Sequence, residues 1–318
     1  MRNCTRRCRP AQGLTTAMVS RTAWQCALAL IACLGMASGA WAKPHRVHTH
    51  GDPTHNPYPL AAAAYATVVD GDLLWGRNVD AHRAPASLTK LLTALVVLGP
   101  GWNPDAMLTV SHEAAHTTPS RVGLHTGDRL RAEDALLAML MHSANDACLA
   151  LVENSAASLS DFAARMNALA AELGMRDSHF VHPCGYDEPG QYSTVNDLLR
   201  LAKAAHANPQ IAAIVLQDHG AIVAESRSGR VRRLSFSSTN HLLREMPGVL
   251  GLKTGYTAQA GRCLIALAEQ SGHRVWLVLL DSQKRWWIAH HMLVAAFAAA
   301  SHGGAARLAG TTTGLAGT

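Results

Sequence analysis

The sequence predicts an α+β fold, with an antiparallel sheet drawn from both ends of the chain, helices on both sides of it and a helical subdomain between. Three observations predict it. Residues 64–77 read as a β-hairpin, with Asp70-Gly71-Asp72 as the turn between two strand-like stretches. Residues 249–253, 263–269 and 273–281 have strand character, the last two joined at Ser271-Gly272. Between these ends the apolar residues recur at helical spacing. Strands at both ends with helices between imply that the first and last strand segments pair.

The elements follow in order. Pro85 restarts the chain before a helix in which Leu88, Leu91, Leu92, Leu95 and Val96 form a one-face stripe. A helix over 132–141 breaks around His142-Ser143-Ala144-Asn145 and resumes from Cys148 to Glu153. Residues 161–173 form an amphipathic helix stopped by Gly174, and 194–207 another that ends before Pro209. A last helix spans 285–300, and residues 303–318 are a small-residue tail without periodicity. The organisation expected is an export signal over 1–42, a lead-in over 43–60, a catalytic domain over 61–302 and a flexible tail over 303–318.

Composition narrows the class. Of 318 residues, 48% are apolar and 16% charged, as in a globular protein with a sizeable core. The formal charge of +6 is concentrated at the start: Arg2, Arg6, Arg7, Arg9 and Arg21 precede residue 42 with no acid among them, which leaves +1 for the rest. A basic surface for nucleic acid has no support. The arginine-bearing start, the apolar run over 27–36 and Ala40-Trp41-Ala42 read as a cleavable export signal. An uncleaved anchor, or a lipid attached at Cys33 after Leu30-Ile31-Ala32, are the tethered alternatives. The expected location is therefore periplasmic or otherwise extracytoplasmic. Four of the seven cysteines fall in this segment, so Cys148, Cys184 and Cys263 allow at most one disulfide and a free thiol. His45, His48, His50 and His55 sit in a polar, proline-rich stretch with no acid or cysteine framing a ligand set, as in a solvated linker.

Chemistry concentrates in three short motifs. Ser87-Leu88-Thr89-Lys90 places a hydroxyl and an amine three residues apart, on one helix face. A serine needs a base to become a nucleophile, and a lysine serves only if burial or a second cation lowers its pKa by several units. Ser143-Ala144-Asn145 lies at a break between helices, where Ser143 can relay a proton and Asn145 can hold a substrate peptide group. Lys253-Thr254-Gly255 ends a strand: Lys253 supplies a second cation, Thr254 a hydrogen bond to a carboxylate, and Gly255 room for a substrate to lie beside the strand. Each motif alone has a bland reading, as a chance helix pair or a cap. Their order and contexts together match the motif set of penicillin-binding proteins and related β-lactamases.

On these residues the chain resembles the low-molecular-mass D-alanyl-D-alanine carboxypeptidases and endopeptidases. The likeness extends through residues 85–94, His142 to Ala147, Thr239-Asn240-His241-Leu242-Leu243, Pro247-Gly248-Val249, Gly251 to Thr257 and Ala260-Gly261, and covers about 62–297. It implies a transpeptidase-like fold with the site in the crevice between sheet and helical subdomain. It also implies an acyl-enzyme on Ser87, β-lactams as covalent inhibitors, and peptidoglycan stem peptides ending in D-Ala-D-Ala as substrate. The oxyanion hole is expected from the N–H groups of Ser87 and a residue after Gly255, and Arg285 is expected to help bind the terminal carboxylate, a solvated or capping arginine being the alternative. No metal or organic cofactor is implied, and no obligate protein partner. Two departures stand out. His182-Pro183-Cys184-Gly185 replaces the family's more usual Asn-Pro-like loop. The chain also ends soon after the last helix, without the further β-rich domain and amphipathic anchor of many family carboxypeptidases, which keeps D,D-endopeptidase as the alternative.

Three other readings compete. His112-Glu113-Ala114-Ala115-His116 is a literal HExxH zinc-protease signature, but Ser111 and Pro119 leave it barely two helical turns and the extended form with a third histidine is absent. A class A-like β-lactamase needs a deacylating glutamate that the sequence does not identify. A non-catalytic peptidoglycan-binding or β-lactam-sensing protein would not require all the catalytic residue types found here.

Overall fold

The computed structural model describes residues 56–311, with side chains described through Ser301. The expected signal over 1–42, the four-histidine stretch and residues 312–318 lie outside the described residues. The strands are β1 (Ala64–Val69), β2 (Asp72–Arg77), β3 (Met107–Thr109), β4 (Arg129–Arg131), β5 (His219–Glu225), β6 (Val231–Ser237), β7 (Val249–Thr257), β8 (Gly261–Gln270) and β9 (His273–Leu280). The helices are α1 (Lys90–Val97), α2 (His112–His116), α3 (Ala132–Met141), α4 (Asn145–Glu153), α5 (Leu159–Glu172), α6 (Val195–Ala207), α7 (Pro209–Val215), α8 (Leu242–Glu245) and α9 (Arg285–Thr311).

Five strands form an antiparallel sheet in the order β2-β1-β9-β8-β7. The first and last strands of the chain pair as expected, Ala64 opposite Leu280 through Val69 opposite Val275. The β1–β2 turn has positive φ at Asp70 (51°) and Gly71 (101°), the backbone a tight right-twisted hairpin requires. The Asp70 carboxylate also accepts from the Arg274 N–H at 2.8 Å, tying this turn to the start of β9.

Both faces of this sheet are covered, which explains the near-continuous apolar runs of β8 and β9. On one face Leu264, Ala266, Leu277 and Leu279 pack against Ala289, Met292, Leu293 and Ala296 of α9. On the other, Cys263, Ile265, Leu267 and Val278 join a larger core with α1, α3 and α6. The stripe expected on α1 understates its burial: Leu91, Leu92, Thr93, Ala94, Val96 and Val97 are all buried, because helices and sheet surround it.

Helix ends follow local chemistry. Ser158 Oγ accepts from Asp161 N–H to start α5, and Gly174, at φ 73°, follows its end. Thr194 Oγ1 accepts from Asp197 N–H to start α6, and Asn208 caps α7 with Pro209 as its first residue.

Three features differ from expectation. A second sheet, β3-β4-β5-β6, lies between the two ends, in stretches to which the sequence reading assigned no element. Its strands β3 and β4 are three residues each, and its hairpin β5–β6 is half exposed, with Arg232 and Arg233 in β6, so the strand signal is weak. Secondly, residues 56–60 of the expected lead-in are docked. Tyr65 Oη donates to Tyr58 O at 2.7 Å and accepts from Asn56 Nδ2 at 2.5 Å, while the Tyr58 ring meets Trp75 edge-on at 5.2 Å. Thirdly, α9 continues to Thr311, past residue 300 and into the stretch read as tail, through the strong helix formers Ala305, Ala306, Leu308 and Ala309. Among the described residues no helix is long and apolar enough to cross a membrane.

The Tyr65 hydroxyl gives a direct check on the docked segment. Tyr65→Phe should lower stability in urea by about 1 kcal/mol, since it removes two part-buried hydrogen bonds, and leave the reactivity of Ser87 unchanged.

Candidate active site

The site is assembled from the start of α1, the turn before α4, strand β7 and the loop over 182–187. Residues 86–89 form a single 3-10 turn that runs into α1, so Ser87 and Lys90 are more closely eclipsed than on an α-helix. Ala86, immediately before the serine, has φ 50°, a left-handed conformation unusual for alanine. Ser87 is partly exposed, whereas Lys90 is fully buried.

The Lys90 Nζ lies 2.9 Å from Ser87 Oγ, 2.7 Å from Asn145 Oδ1 and 2.6 Å from Cys184 O. Burial lowers its pKa from 10.5 to about 7. A neutral amine has two N–H donors and one lone pair. Asn145 Oδ1 and Cys184 O can only accept, so they take the two N–H groups. The lone pair is left for the Ser87 O–H, which is the arrangement that activates a serine.

The second motif lies at the junction of α3 and α4. Ser143 sits at φ 61° between α3 and α4, and its hydroxyl has no hydrogen-bond partner among the described residues. Asn145 opens α4. Its Nδ2 donates to Thr118 O at 3.0 Å and Pro119 O at 3.2 Å, which turns Oδ1 toward Lys90. Both ends of the amide are thus engaged within the protein, and Asn145 holds the lysine. Asp146, beside it, accepts from Val122, Gly123 and Leu124 N–H at 3.0–3.2 Å and orders the neighbouring loop.

The third motif lies on β7, an edge strand of the sheet. Lys253 is buried, its Nζ donating to Thr254 O at 3.0 Å, and its pKa is pushed well down by burial, then by the charges of Lys90 and Arg285. For Lys90 burial is the leading cause of the shift. Thr254 Oγ1 shares a 2.6 Å hydrogen bond with Thr239 Oγ1. A Cβ on Gly255 would lie 3.0 Å from Ala86 Cβ and 3.2 Å from Ser87 N, so glycine lets β7 close on the nucleophile turn.

Arg285 opens α9 against the motif strand. Its Nη1 donates to Gly255 O and Cys263 O, each at 2.9 Å, and its guanidinium lies over the Trp286 ring. It braces β7 and β8 through their main chain at Gly255, the residue that packs on the nucleophile turn. The HExxH residues form the single turn of α2, with His112 and His116 exposed and stacked at 4.1 Å. Among the described residues no group of three or more His, Cys, Asp or Glu side chains is placed to hold a metal ion.

The loop over 182–187 contributes groups that the sequence reading passed over. Cys184 is disulfide-bonded to Cys148 on α4, and Cys263 is free and buried, with burial raising its thiol to about 11. Thr93 Oγ1 donates to Pro183 O at 2.6 Å. His182 Nδ1 accepts from Cys184 N–H at 3.2 Å, and burial, then the Lys90 charge, lower its pKa to about 4, so it is neutral at working pH. A Cβ on Gly185, at φ 82°, would stand 2.0 Å from Ala86 O. Asp187 accepts from Thr257 Oγ1 at 2.5 Å and Gln259 N–H at 3.1 Å, fastening the loop to the end of β7. The one signal in the sequence was the departure at His182-Pro183-Cys184-Gly185, which gave no pairing and no carbonyl direction.

A buried lysine facing a serine at the start of a helix, beside the edge strand of a two-faced antiparallel sheet, defines the serine–lysine acyl-transfer class. The chain belongs to the D-alanyl-D-alanine carboxypeptidase family, whose pattern matches residues 53–284. It is 31% identical over 217 residues to the D-alanyl-D-alanine carboxypeptidase DacF of Bacillus subtilis, covering 67% of this chain and 54% of that one. It is 32% identical over 226 residues to the D-alanyl-D-alanine endopeptidase of Pseudomonas aeruginosa, covering 70% and 72% respectively. The crystal structure of the Streptomyces K15 DD-transpeptidase superimposes with a TM-score of 0.71 at 27% identity, covering 75% of this chain and 97% of that one. The chain spans little more than half the length of several carboxypeptidases it matches, 54–60%.

Two measurements test this geometry. In protein carrying 13C-labelled lysine, the Lys90 Cε resonance should titrate with a midpoint near 7 in place of 10.5. Gly185→Ala should cost about 1–3 kcal/mol in chemical denaturation, because its Cβ meets backbone that cannot step aside.

Proposed function

We propose that this chain is a serine-type D-Ala-D-Ala carboxypeptidase that removes the terminal D-Ala of peptidoglycan stem peptides through an acyl-enzyme on Ser87. One observation carries the reading: the Lys90 amine has its two N–H groups fixed by Asn145 Oδ1 and Cys184 O, which leaves its lone pair to Ser87. The neutral amine takes the Ser87 proton as Oγ bonds to the penultimate D-Ala carbonyl carbon. The N–H groups of Ser87 and of the strand after Gly255 hold the oxyanion, a contribution of about 3 kcal/mol per donor in comparable sites. Ser143, whose hydroxyl is otherwise unengaged, passes the proton to the leaving nitrogen; the C–N bond breaks and D-Ala departs. Water then attacks the ester with Lys90 again as base. Lys253 and Thr254 supply positive charge and a hydroxyl for the substrate's terminal carboxylate. The open edge of β7 receives the peptide as an added strand. β-Lactams enter by the same attack on their ring carbonyl. The basic, apolar start of the chain supports export to the periplasm or another extracytoplasmic site.

A D,D-endopeptidase acting on cross-linked peptides is the second reading. It is supported by the two endopeptidases among the relatives, to which the chain is 32% and 31% identical.

Intact mass after incubation with penicillin should show one adduct on the wild type and none on Ser87→Ala. Free D-Ala from a monomeric pentapeptide establishes the carboxypeptidase, whereas cleavage of cross-linked dimers alone establishes the endopeptidase. No adduct on the wild type would overturn both. Acylation needs the unprotonated amine, so its rate should rise with pH through about 7 and level off above it. Lys90→Ala should lower that rate by about a hundredfold or more at neutral pH.

A further inference from the structure

The three groups that meet Lys90 Nζ belong to three separate elements: Ser87 to its own turn, Asn145 to the start of α4, and Cys184 to the loop over 182–187. Cys148 lies three residues after Asn145 on α4, on the same face one turn along. Its disulfide partner is Cys184, the residue whose own carbonyl receives Lys90. Each sulfur is therefore attached beside one of the two groups that fix the amine. The bridge spans 36 residues of sequence, so without it α4 and the loop meet only through noncovalent contacts.

The remaining contacts hold the loop from other sides. Thr93 Oγ1 donates to Pro183 O at 2.6 Å, and His182 Nδ1 accepts from Cys184 N–H at 3.2 Å. Gly185 packs against Ala86 O with no room for a Cβ. None of these ties the Cys184 carbonyl to Asn145. Apart from Lys90 itself, which bonds both, the disulfide is the link between them among the described residues, and both its residues are fully buried.

We propose that the Cys148–Cys184 disulfide is a positioning element for the serine–lysine pair: it locks Asn145 Oδ1 and Cys184 O into one rigid clamp, and thereby aims the Lys90 lone pair at Ser87. The proposal rests on Lys90 being the base. Loss of the bridge leaves the fold and all the motif residues in place but lets the Cys184 carbonyl withdraw. The amine then rotates among its acceptors, water gains access to it, and the fraction of molecules poised for attack falls. A displacement of about 1 Å at such a group is enough for a large rate loss.

The test compares Cys148→Ala/Cys184→Ala, and the fuller Cys148→Val/Cys184→Ala, with the wild type. The second-order rate of penicillin acylation is measured across pH 5–10, together with the melting temperature. The expected result is a rate about tenfold or more lower at pH 7. The rising limb of the profile should move to higher pH, with partial recovery near pH 9, because a hydrated amine regains its affinity for a proton. A merely structural bridge predicts a lower melting temperature with the wild-type rate and limb, and that result overturns the proposal. Should both variants fail to fold, wild-type protein prepared in reductant, with native circular dichroism and its thiols counted, gives the same comparison; a wild-type rate there is equally decisive against it. Lys90→Ala separates the two levels. If it retains the wild-type rate, the reading of Lys90 fails; if it is inactive while the bridge variants behave as wild type, only the present proposal fails.

Discussion

One amine kept from water governs the centre of this molecule. A lysine exposed to solvent would hold its proton at neutral pH and do nothing for a neighbouring serine. Lys90 is covered completely, and the desolvation lowers its pKa to about 7. Burial of that kind is tolerable only if the N–H groups find partners. The fold supplies them from α4 and from the loop over 182–187 and leaves one direction open toward Ser87. The polar contacts of Asn145, Thr93 and His182 can all be understood as support for those few bonds.

The nucleophile turn is held between two approaches that exclude side chains. Gly255 of β7 lies against Ala86 Cβ and Ser87 N, while Gly185 lies against Ala86 O. The sheet supplies the first approach through its last strand, and the loop supplies the second. Asp187 joins the two by reaching Thr257 and Gln259, so the strand edge and the loop are fastened together around the serine. Arg285 stiffens the same strand from its other side, through Gly255 O and Cys263 O.

Much of this was written in local patterns. The β1–β2 hairpin, the pairing of β1 with β9, and helix α3 follow from alternation, turn residues and helical periodicity. The three motifs were legible because fixed spacing on a helix start and a strand end dictates which side chains can meet. What escaped depends on contacts between distant segments. The β3-β4-β5-β6 sheet has two three-residue strands, and its β5–β6 hairpin, though alternating in burial, carries few large apolar residues on its covered face. The partner of Cys184 was one of two remaining cysteines, and spacing alone does not choose between Cys148 and Cys263. Main-chain acceptors such as Cys184 O are invisible in any sequence, because every residue has a carbonyl and only the tertiary path aims it. The contacts of Arg285 with Gly255 O and Cys263 O were hidden for the same reason.

Lys90 and Lys253 also work against the folded state itself. Both bind a proton more tightly in the unfolded chain than in the native one, since burial lowers each below its value of 10.5. Unfolding therefore takes up protons, and the contribution of these two groups to stability increases with pH. For Lys90 that contribution is complete above 10.5 and is lost as the pH falls to about 7, below which it no longer changes. At neutral pH the chain folds against the proton affinity of its own reactive centre. The apolar cores on both faces of the sheet have to outweigh that opposition before any substrate arrives.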